Sequence, residues 1–557
     1  MNKIISKLSQ IKNKKEYFHW LFIYSKPYIP RILLVMFFNI MATVISILMA
    51  LLSKKIIDSA QGGNIILWAI GIYLLMIFVN VAFTIANGVV SIMLNERFSF
   101  GIRKQVYEKI INAHWMDIKK YHTGDLMTRF TSDAGNVADG IVNTIPTIIE
   151  LLFELIATFA TLFYYEPLLA IFAIILAPIA ALISYAFAHK MHKYQKKVQE
   201  SESAYRSFVQ ESLANLLIVK AFTIEDHSVD KLTNLRDERF KWVLKRAGVG
   251  MASSSVLNMA FQFGYIAAFA FGAIQLSNNS ITYGTMSVFL TLVNRIQAPI
   301  ISLASQLPKI VSIFTSAGRI IELEEIQTEE KQMTNIESNT VGVKLQDVSF
   351  GYNPKDIVLD NVNLDIKPGE FVGIVGESGI GKTTLVRLIM SFMNQNNGLI
   401  TFYNEKDQQE AANASTREFI SYVPQGNTLF SGTILENIKM GNMNATDEEI
   451  QTAIKMAAAD SFINDLPMGV NTVIGERGHG ISEGQAQRVA IARALIRKAP
   501  FLVLDEATSA LDEKTEIKVL EGIKKLNPRP TCLLITHRRS VLDYCDREIK
   551  IDNGHIY

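Results

Sequence analysis

Hydrophobic and polar positions divide the chain into two halves. Before about residue 320, apolar stretches, all uncharged except the third, which holds Glu150 and Glu154, recur at the length of about 20 residues that a helix needs to cross hydrocarbon. They are Ile32 to Ser53, Ile65 to Asn95, Gly140 to Tyr165 and Leu168 to Ala188. A run without any charge from Ala247 to Asn294 follows, which Ser277-Asn-Asn-Ser280 splits into a fifth and a sixth span. The sixth continues through Arg295, Pro299 and Pro308 toward Lys309. Beyond it, Glu322 to about Gly342 is polar without apolar period and predicts an exposed linker. Val343, Leu345, Val348 and Phe350 then alternate as a strand, and short apolar runs trade places with helix-like ones to Tyr557. The pattern predicts six transmembrane helices followed by a soluble α/β domain.

Loop charge orients the spans. Glu96 to Asp139 and His189 to Arg246 are long and rich in Lys and Arg, whereas the other links are short and carry only Lys54 and Lys55. The positive-inside rule places both termini and both long loops in the cytosol, in a multi-pass protein of the cell membrane. Folded as paired helical arms, such loops reach on the order of 30 Å below the bilayer at about 1.5 Å per residue. Their tips, Thr123 to Asp133 and Leu217 to Glu225, carry the turn and capping residues expected where an arm gives way to a short crossing helix. Lys3, Lys7, Lys12, Lys14, Lys15 and Lys26 surround the aromatic stretch Tyr17 to Tyr24, which reads as an interfacial helix broken by Pro27 and Pro30. No small-residue cleavage site follows it, so it is not read as a secretory signal. The expected domains are an interfacial helix over 1–30, a membrane domain over 31–321 with hairpins 96–139 and 189–246, a linker over 322–342 and a soluble domain over 343–557.

Composition adds little. At 557 residues the chain is too long for one core. A net charge of +2 points to no nucleic-acid partner. Cys532 and Cys545, the only cysteines, argue for a reducing compartment and against a disulfide framework.

The chemistry is concentrated in the soluble half. Gly376, Glu377, Ser378, Gly379, Ile380, Gly381, Lys382, Thr383 and Thr384 lie between the apolar run Phe371 to Val375 and a helix-like run. Strand, glycine-rich turn and helix together aim backbone N–H groups and a helix dipole at phosphates, with Lys382 toward the β and γ groups and Thr383 on Mg²⁺. The apolar strand Phe501 to Leu504 delivers Asp505 and Glu506 to its C-terminal edge, where open α/β sheets place ligands. Asp505 suits the Mg²⁺ shell and Glu506 the general base for the attacking water. Gln425, in Tyr-Val-Pro-Gln, is placed to sense metal and water, and His537, after Cys532 to Thr536, to meet the γ-phosphate. Tyr352, at the end of the first strand, is a candidate for stacking on adenine, although a half-buried strand tyrosine is the commoner case. ATP and Mg²⁺ are the expected cofactors, and the fold class is a membrane α-helical domain fused to a C-terminal α/β P-loop nucleotide-binding domain.

These motifs, in this order, resemble an exporter-type ATP-binding cassette (ABC) half-transporter over nearly the whole length: one six-helix membrane domain followed by one cassette. The resemblance implies Gly376 to Thr384 as Walker A, Gln425 as the Q-loop, Phe501 to Glu506 as Walker B and His537 as the switch histidine. It further implies Ser509 to Asp512 as the D-loop, Glu476 and Arg477 within the loop that meets the cytosolic hairpins, and Gly124-Asp-Leu and Val219 to Phe222 as coupling regions. The signature stretch reads Ile481-Ser482-Glu483-Gly484-Gln485, where the family usually has Leu-Ser-Gly-Gly-Gln. Ser482, Gly484 and Gln485 keep the pattern, and Glu483 departs from it. A carboxylate aimed at a triphosphate is repelled, so Glu483 bears on turnover rather than on ATP binding. In this family the signature meets an ATP held by a second cassette, which implies a dimer: a homodimer with two active sites, or a heterodimer with a related half-transporter.

The resemblance implies ATP-driven export by alternating access, with Glu506 hydrolysing the ATP that closes the cassettes. An ATP-gated channel or regulator is the competing class, and the intact Glu506 and His537 count against it. The spans exclude a soluble ATPase. A cargo path needs polar residues: Asn143, Thr147, Glu150, Glu154, Thr158 and Thr161 share one face of the third span, Arg295 lies on the sixth, and Asn258 and Gln262 lie on the fifth. Two readings are open, a structural pairing of Glu150 or Glu154 with Arg295, or a charged cavity for an amphipathic or charged peptide, lipid or drug-like solute.

Overall fold

The computed structural model describes residues 14–63, 66–165, 167–329, 336, 339–353, 356–377, 379–426, 428–475 and 478–557. Lys3, Lys7, Lys12, Ser378, Glu476 and Arg477 therefore lie outside the described residues, as do 330–335, 337 and 338 of the expected linker. The chain divides into two compact units, one made of residues 1–108 and 123–324, the other of residues 109–122 and 325–557.

The first unit is helical. Helix α1 (Lys14–Ser25) passes through a single 3₁₀ turn, Lys26–Tyr28, into α2 (Ile29–Gln61). Pro27 and Pro30 thus tighten the path without the full break expected, because each falls in the first turn of its element, where a missing N–H costs nothing. Next come α3 (Leu67–Asn112), the short α4 (Trp115–Lys119), and α5 (Thr123–Tyr165), which contains π turns at Arg129–Asp133 and Gly140–Thr144. They are followed by α6 (Pro167–Ala214), the short α7 (Leu216–Ala221), α8 (Glu225–Ser277) and α9 (Tyr283–Glu324). Among the described residues, five helices are long and apolar enough to cross a membrane: α1–α2 together, α3, α5, α8 and α9. The expected fourth span, Leu168 to Ala188, lies within the single helix α6.

Helix α1 is pinned rather than loose. Trp20 Nε1 donates to Glu324 Oε2 at 2.7 Å, Tyr24 donates to the other carboxylate oxygen, and Phe18 packs edge-on against Phe314. The first turns of α5 and the last turns of α9 are joined by an ionic cluster with a buried centre. Arg129 donates to Asp125 and Glu322, both at 2.9 Å, and Asp133 accepts from Ser316 at 2.7 Å and Arg319 at 2.6 Å. Arg129 and Asp133 are 5% and 0% exposed, so these charges lie where only paired charges are tolerated.

The first hairpin turns earlier than its sequence suggests. The crossing helix is α4 at Trp115–Lys119, and Thr123, expected at the tip, already starts α5. Residues 109–122 belong to the second unit, where Trp115 and Met116 pack against the apolar core. The second crossing helix, α7, overlaps the predicted tip, starting one residue before it.

The rest of the second unit is two sheets and their helices. An antiparallel sheet takes the order β2-β1-β4-β5, with β1 (Gly342–Asn353), β2 (Asp356–Ile366), β4 (Asn397–Tyr403) and β5 (Gln409–Ala411). Val343, Leu345, Val348 and Phe350 of β1 are buried. The second sheet takes the order β10-β9-β3-β8-β7-β6, from β3 (Phe371–Val375), β6 (Ile420–Val423), β7 (Phe501–Asp505), β8 (Thr531–Ile535), β9 (Arg547–Asp552) and β10 (His555–Ile556). Its strands β9, β3, β8, β7 and β6 are parallel, and the central three, β3, β8 and β7, are buried on both faces and apolar almost throughout for that reason. Three helices bear on function: α10 (Lys382–Ile389), α11 (Glu483–Ile496) and α12 (Glu513–Lys524).

The expected linker is not wholly exposed. Residues 326–329 run beside 112–114 as a short β-bridge: His114 N–H donates to Gln327 O at 3.1 Å and Glu329 N–H to Asn112 O at 2.8 Å. Glu329 accepts a two-pronged bond from Arg417 at 2.5 and 2.8 Å, and Ile336 lies buried in the core. Polar sequence hid this order, since backbone pairing and an ion pair leave no apolar period.

Candidate nucleotide site

The parallel sheet gathers the predicted chemistry at one edge. The Walker A loop follows β3, Gln425 follows β6, Asp505 ends β7 with Glu506 next, and His537 follows β8, all at the C-terminal ends of parallel strands.

Gly381 caps α10 at φ +114°, and a Cβ there would lie 2.9 Å from Val358 Cγ1, so conformation and space both demand glycine. The turn places Lys382 at the first position of α10, 6% exposed, with Nζ donating to Gly376 O at 2.6 Å and lying 2.8 Å from His537 Nε2. Burial holds the ammonium below its ordinary pKa, and the Glu506 and Asp505 carboxylates oppose that shift. His537 Nε2 also stands 3.4 Å from Glu506 Oε1. Without a proton on Nε2 the ring accepts from Lys382, and with one it donates to Glu506.

Glu506 is held by both backbone and side chain. Gln425 Nε2 donates to its Oε2 at 2.5 Å, and its own N–H donates to Ile535 O at 3.1 Å. Its φ is +50°, a left-handed conformation that a non-glycine residue keeps only when its surroundings enforce it. Asp505 is 2% exposed and accepts from the Tyr422 hydroxyl at 3.2 Å. Burial raises its carboxyl pKa, hydrogen bonds from Tyr422 and Thr383 lower it, and Glu506 raises it further. Two adjacent carboxylates, a threonine hydroxyl and a glutamine amide make an all-oxygen donor set, and Asp505 has no ion-pair partner among the described residues. Such a set fits Mg²⁺.

Tyr352 is 40% exposed on β1, and its hydroxyl lies 3.2 Å from Thr384 Oγ1, so the ring stands beside the Walker A helix. Glu377, Gly379 and Ile380 complete the described part of the loop.

Ser482 is the N-cap of α11. Its Oγ accepts from Gln485 N–H at 3.3 Å and its N–H donates to Gln485 Oε1 at 2.8 Å. Gln485 thus has a local structural job, because this reciprocal pair satisfies two free N–H groups at the helix start. Glu483 is exposed in the first turn, where a carboxylate complements the helix dipole. At Gly484 a Cβ would sit 2.7 Å from Ala510 O, so the signature packs directly on the D-loop. Asp512 caps α12, accepting from Thr515 N–H at 3.0 Å and Thr515 Oγ1 at 2.7 Å, and these bonds hold its carboxyl below the usual range.

In the membrane unit Arg295 Nε donates to Glu154 Oε1 at 2.8 Å, and its Nη1 donates to Ser46. Glu150, one turn earlier on α5, is half-buried and outside that pair. Asn258 lies in a separate groove on α8 with Met191, Arg246 and Gly250, and Gln262 is exposed one turn further on.

Three features escaped the sequence reading. Tyr422 reaches Asp505, Arg538 beside the switch histidine grips the D-loop, and Trp115 stacks near Phe392 at 5.9 Å with the Arg387 guanidinium 5.2 Å over its ring. The one available signal was a tryptophan inside a charged loop.

Known proteins share both halves. The family description "ABC transporter transmembrane region" matches residues 32–300, and "ABC transporter" matches residues 359–509. An ATP-dependent lipid A-core flippase of Syntrophus aciditrophicus is 30% identical over 538 residues, 96% of this chain and 89% of that one. The chain belongs to the ABC transporter family. A second lipid A-core flippase, from Desulfotalea psychrophila, is 32% identical to this transporter over 80% of the chain and 78% of its own length. A bacterial Atm1-family ABC exporter with ATP bound shares the transporter's fold, with a TM-score of 0.79, 23% identity and coverage of 96% and 94%. The transporter is a membrane protein that binds and hydrolyses ATP to drive export. The sequence expectations of an α-helical membrane domain fused to an α/β cassette, and of an ATP-driven exporter, are both met.

Proposed function

We propose that this transporter moves an amphipathic solute with a polar or cationic head, lipid-like or drug-like, from the cytosolic side of the cell membrane. The observation that carries this reading is the charge set on α5 and α9. Glu154 is paired with Arg295, while Glu150 on the same helix face lies outside that pair. Intramembrane charge is costly and is retained where it serves a cavity or a partner. A phosphate-rich head is disfavoured beside Glu150, so the cargo named for the lipid A flippases is not carried over unchanged.

The engine in this proposal is a dimer, a homodimer in the simplest case or a pair with a related half-transporter, with both termini and the cassette in the cytosol. The domains keep their expected roles: interfacial helix, membrane domain with two coupling hairpins, linker and cassette. Lys382 and the Walker A N–H groups hold the ATP phosphates, and Thr383, Asp505 and Gln425 hold Mg²⁺, which when bound supplies charge neutralisation on the phosphates. Tyr352 meets adenine. Glu506 takes the proton of the attacking water, and His537 steadies the γ-phosphate. Ser482, Gly484, Gln485 and Asp512 complete the partner's site. ATP shifts the conformation because it prefers the closed pair, as a ligand without preference shifts nothing.

The test is ATPase activity in lipid nanodiscs against a cationic amphiphile, a zwitterionic phospholipid, a peptide and a phosphate-rich lipid, with Glu506→Gln as blank. Stimulation by the first two that Glu150→Gln abolishes supports the proposal. Stimulation by the phosphate-rich lipid alone, unchanged in Glu150→Gln, refutes it.

A further inference from the structure

We propose that Arg538 is a positioning residue that ties the switch histidine to the D-loop and, through Gln487, to the signature helix, so that one nucleotide site sets the geometry the chain offers to the other. This rests on the dimer reading above.

Arg538 follows His537 directly. Its N–H donates to Thr536 Oγ1 at 3.1 Å, which fixes the turn that presents the histidine. Its guanidinium leaves the nucleotide and spans the D-loop instead. Nη1 donates to Leu511 O at 2.8 Å and Glu516 Oε2 at 2.7 Å, and Nη2 donates to Ser509 O at 2.7 Å. The Glu516 carboxylate, 1% exposed, anchors the fork. A rigid planar fork with several fixed donors can hold two carbonyls and a carboxylate at once, and a lysine ammonium on its flexible stem cannot reproduce that geometry.

The other side of the same loop is held by the signature helix. Gln487 is 4% exposed; its Nε2 donates to Ser509 Oγ at 3.2 Å and its Oε1 accepts from Ala510 N–H at 3.0 Å. Gly484 packs against Ala510 O closely enough to exclude a Cβ. Ser509, Ala510 and Leu511 are therefore clamped between two groups that serve different ATP molecules in the dimer. His537 and Glu506 face the chain's own ATP, and Ser482 faces the partner's. Ser509 N–H also donates to Glu506 O at 3.2 Å, so the clamp reaches the catalytic carboxylate's backbone. Movement of His537 on ATP loss drags Arg538, the D-loop carbonyls with it, and then Gln487 and the signature turn.

The test compares wild type with Arg538→Lys and Glu516→Gln in the full-length transporter, reading ATPase rate against ATP concentration, ATP binding and melting temperature. Wild type is expected to show a Hill coefficient of about 2, the number of coupled sites. Arg538→Lys should bring it to about 1 and cut kcat about tenfold, the effect of losing one charge-assisted hydrogen bond, with ATP binding unchanged. Glu516→Gln keeps a neutral acceptor and both carbonyl bonds, so it should retain cooperativity even if it melts earlier. The inference is overturned by a wild-type Hill coefficient of about 1, by cooperativity retained in Arg538→Lys, or by equal loss in both variants that tracks melting temperature. An ATP-trapped dimer of Glu506→Gln, read separately by cross-linking, tests the dimer: its absence sinks that reading and this one, whereas its presence beside any overturning result sinks this one alone.

Discussion

Replacing Arg295 by Met should destabilise the membrane unit more than any neutral change at Glu150. Arg295 and Glu154 are 22% and 17% exposed and meet at 2.8 Å, with Ser46 on the far side of the guanidinium. Deleting one partner strands the other charge among apolar helices, which costs about 3–5 kcal/mol. That is a large part of the ~5–15 kcal/mol typical of a folded domain. At roughly 2–4 °C per kcal/mol the melting temperature should fall by about 6–20 °C. Fluorescence-detected size-exclusion after heating, in detergent and in nanodiscs, reads the shift. Glu154→Gln together with Arg295→Met removes both charges and should recover most of the loss, because removing the pair spares the stranded ion. Glu150→Gln should stay within about 0.5 kcal/mol of wild type. If Arg295→Met melts with wild type while Glu150→Gln falls, the pairing drawn here is wrong and Glu150 is the structural residue.

Trp115→Ala removes the ring that lies against Phe392 and under Arg387, and should uncouple cargo from ATPase: basal hydrolysis persists while cargo stimulation is lost, measured in nanodiscs. Arg417→Ala leaves Glu329, 14% exposed at its side chain, without its two-pronged partner and should cost the cassette about 3 kcal/mol, read by urea unfolding of the intact transporter. Tyr422→Phe removes the hydroxyl on Asp505 and should raise the Mg²⁺ needed for half-maximal ATPase about tenfold, as loss of a second-layer metal partner does, with ATP binding in EDTA unchanged.

Apolar period made the membrane helices readable, and motif order did the same for the cassette. Both signals are local: an apolar run of span length, or a glycine turn between strand and helix at Gly376 to Thr384. Contacts between distant segments were not readable. The pairing of Glu154 rather than Glu150 with Arg295 depends on how α5 and α9 rotate against each other, and both glutamates share a face. The crossing helix at Trp115–Lys119 lies before the glycine that marked the expected tip, because docking on an apolar core placed it there and no turn signal did. The segment at 326–329 looked like linker because its order comes from backbone pairing with 112–114 and from Arg417. The left-handed Glu506 is likewise invisible in a residue type that normally avoids φ of +50°.

Transport driven by hydrolysis at Glu506 is tested most directly by flux. In proteoliposomes with the cassette facing the bath, a fluorescent cationic amphiphile should accumulate inside on addition of ATP and Mg²⁺ with wild type, and should not accumulate with Glu506→Gln at equal reconstitution. Equal accumulation by the two proteins, or wild-type accumulation that is indifferent to ATP, would contradict the account.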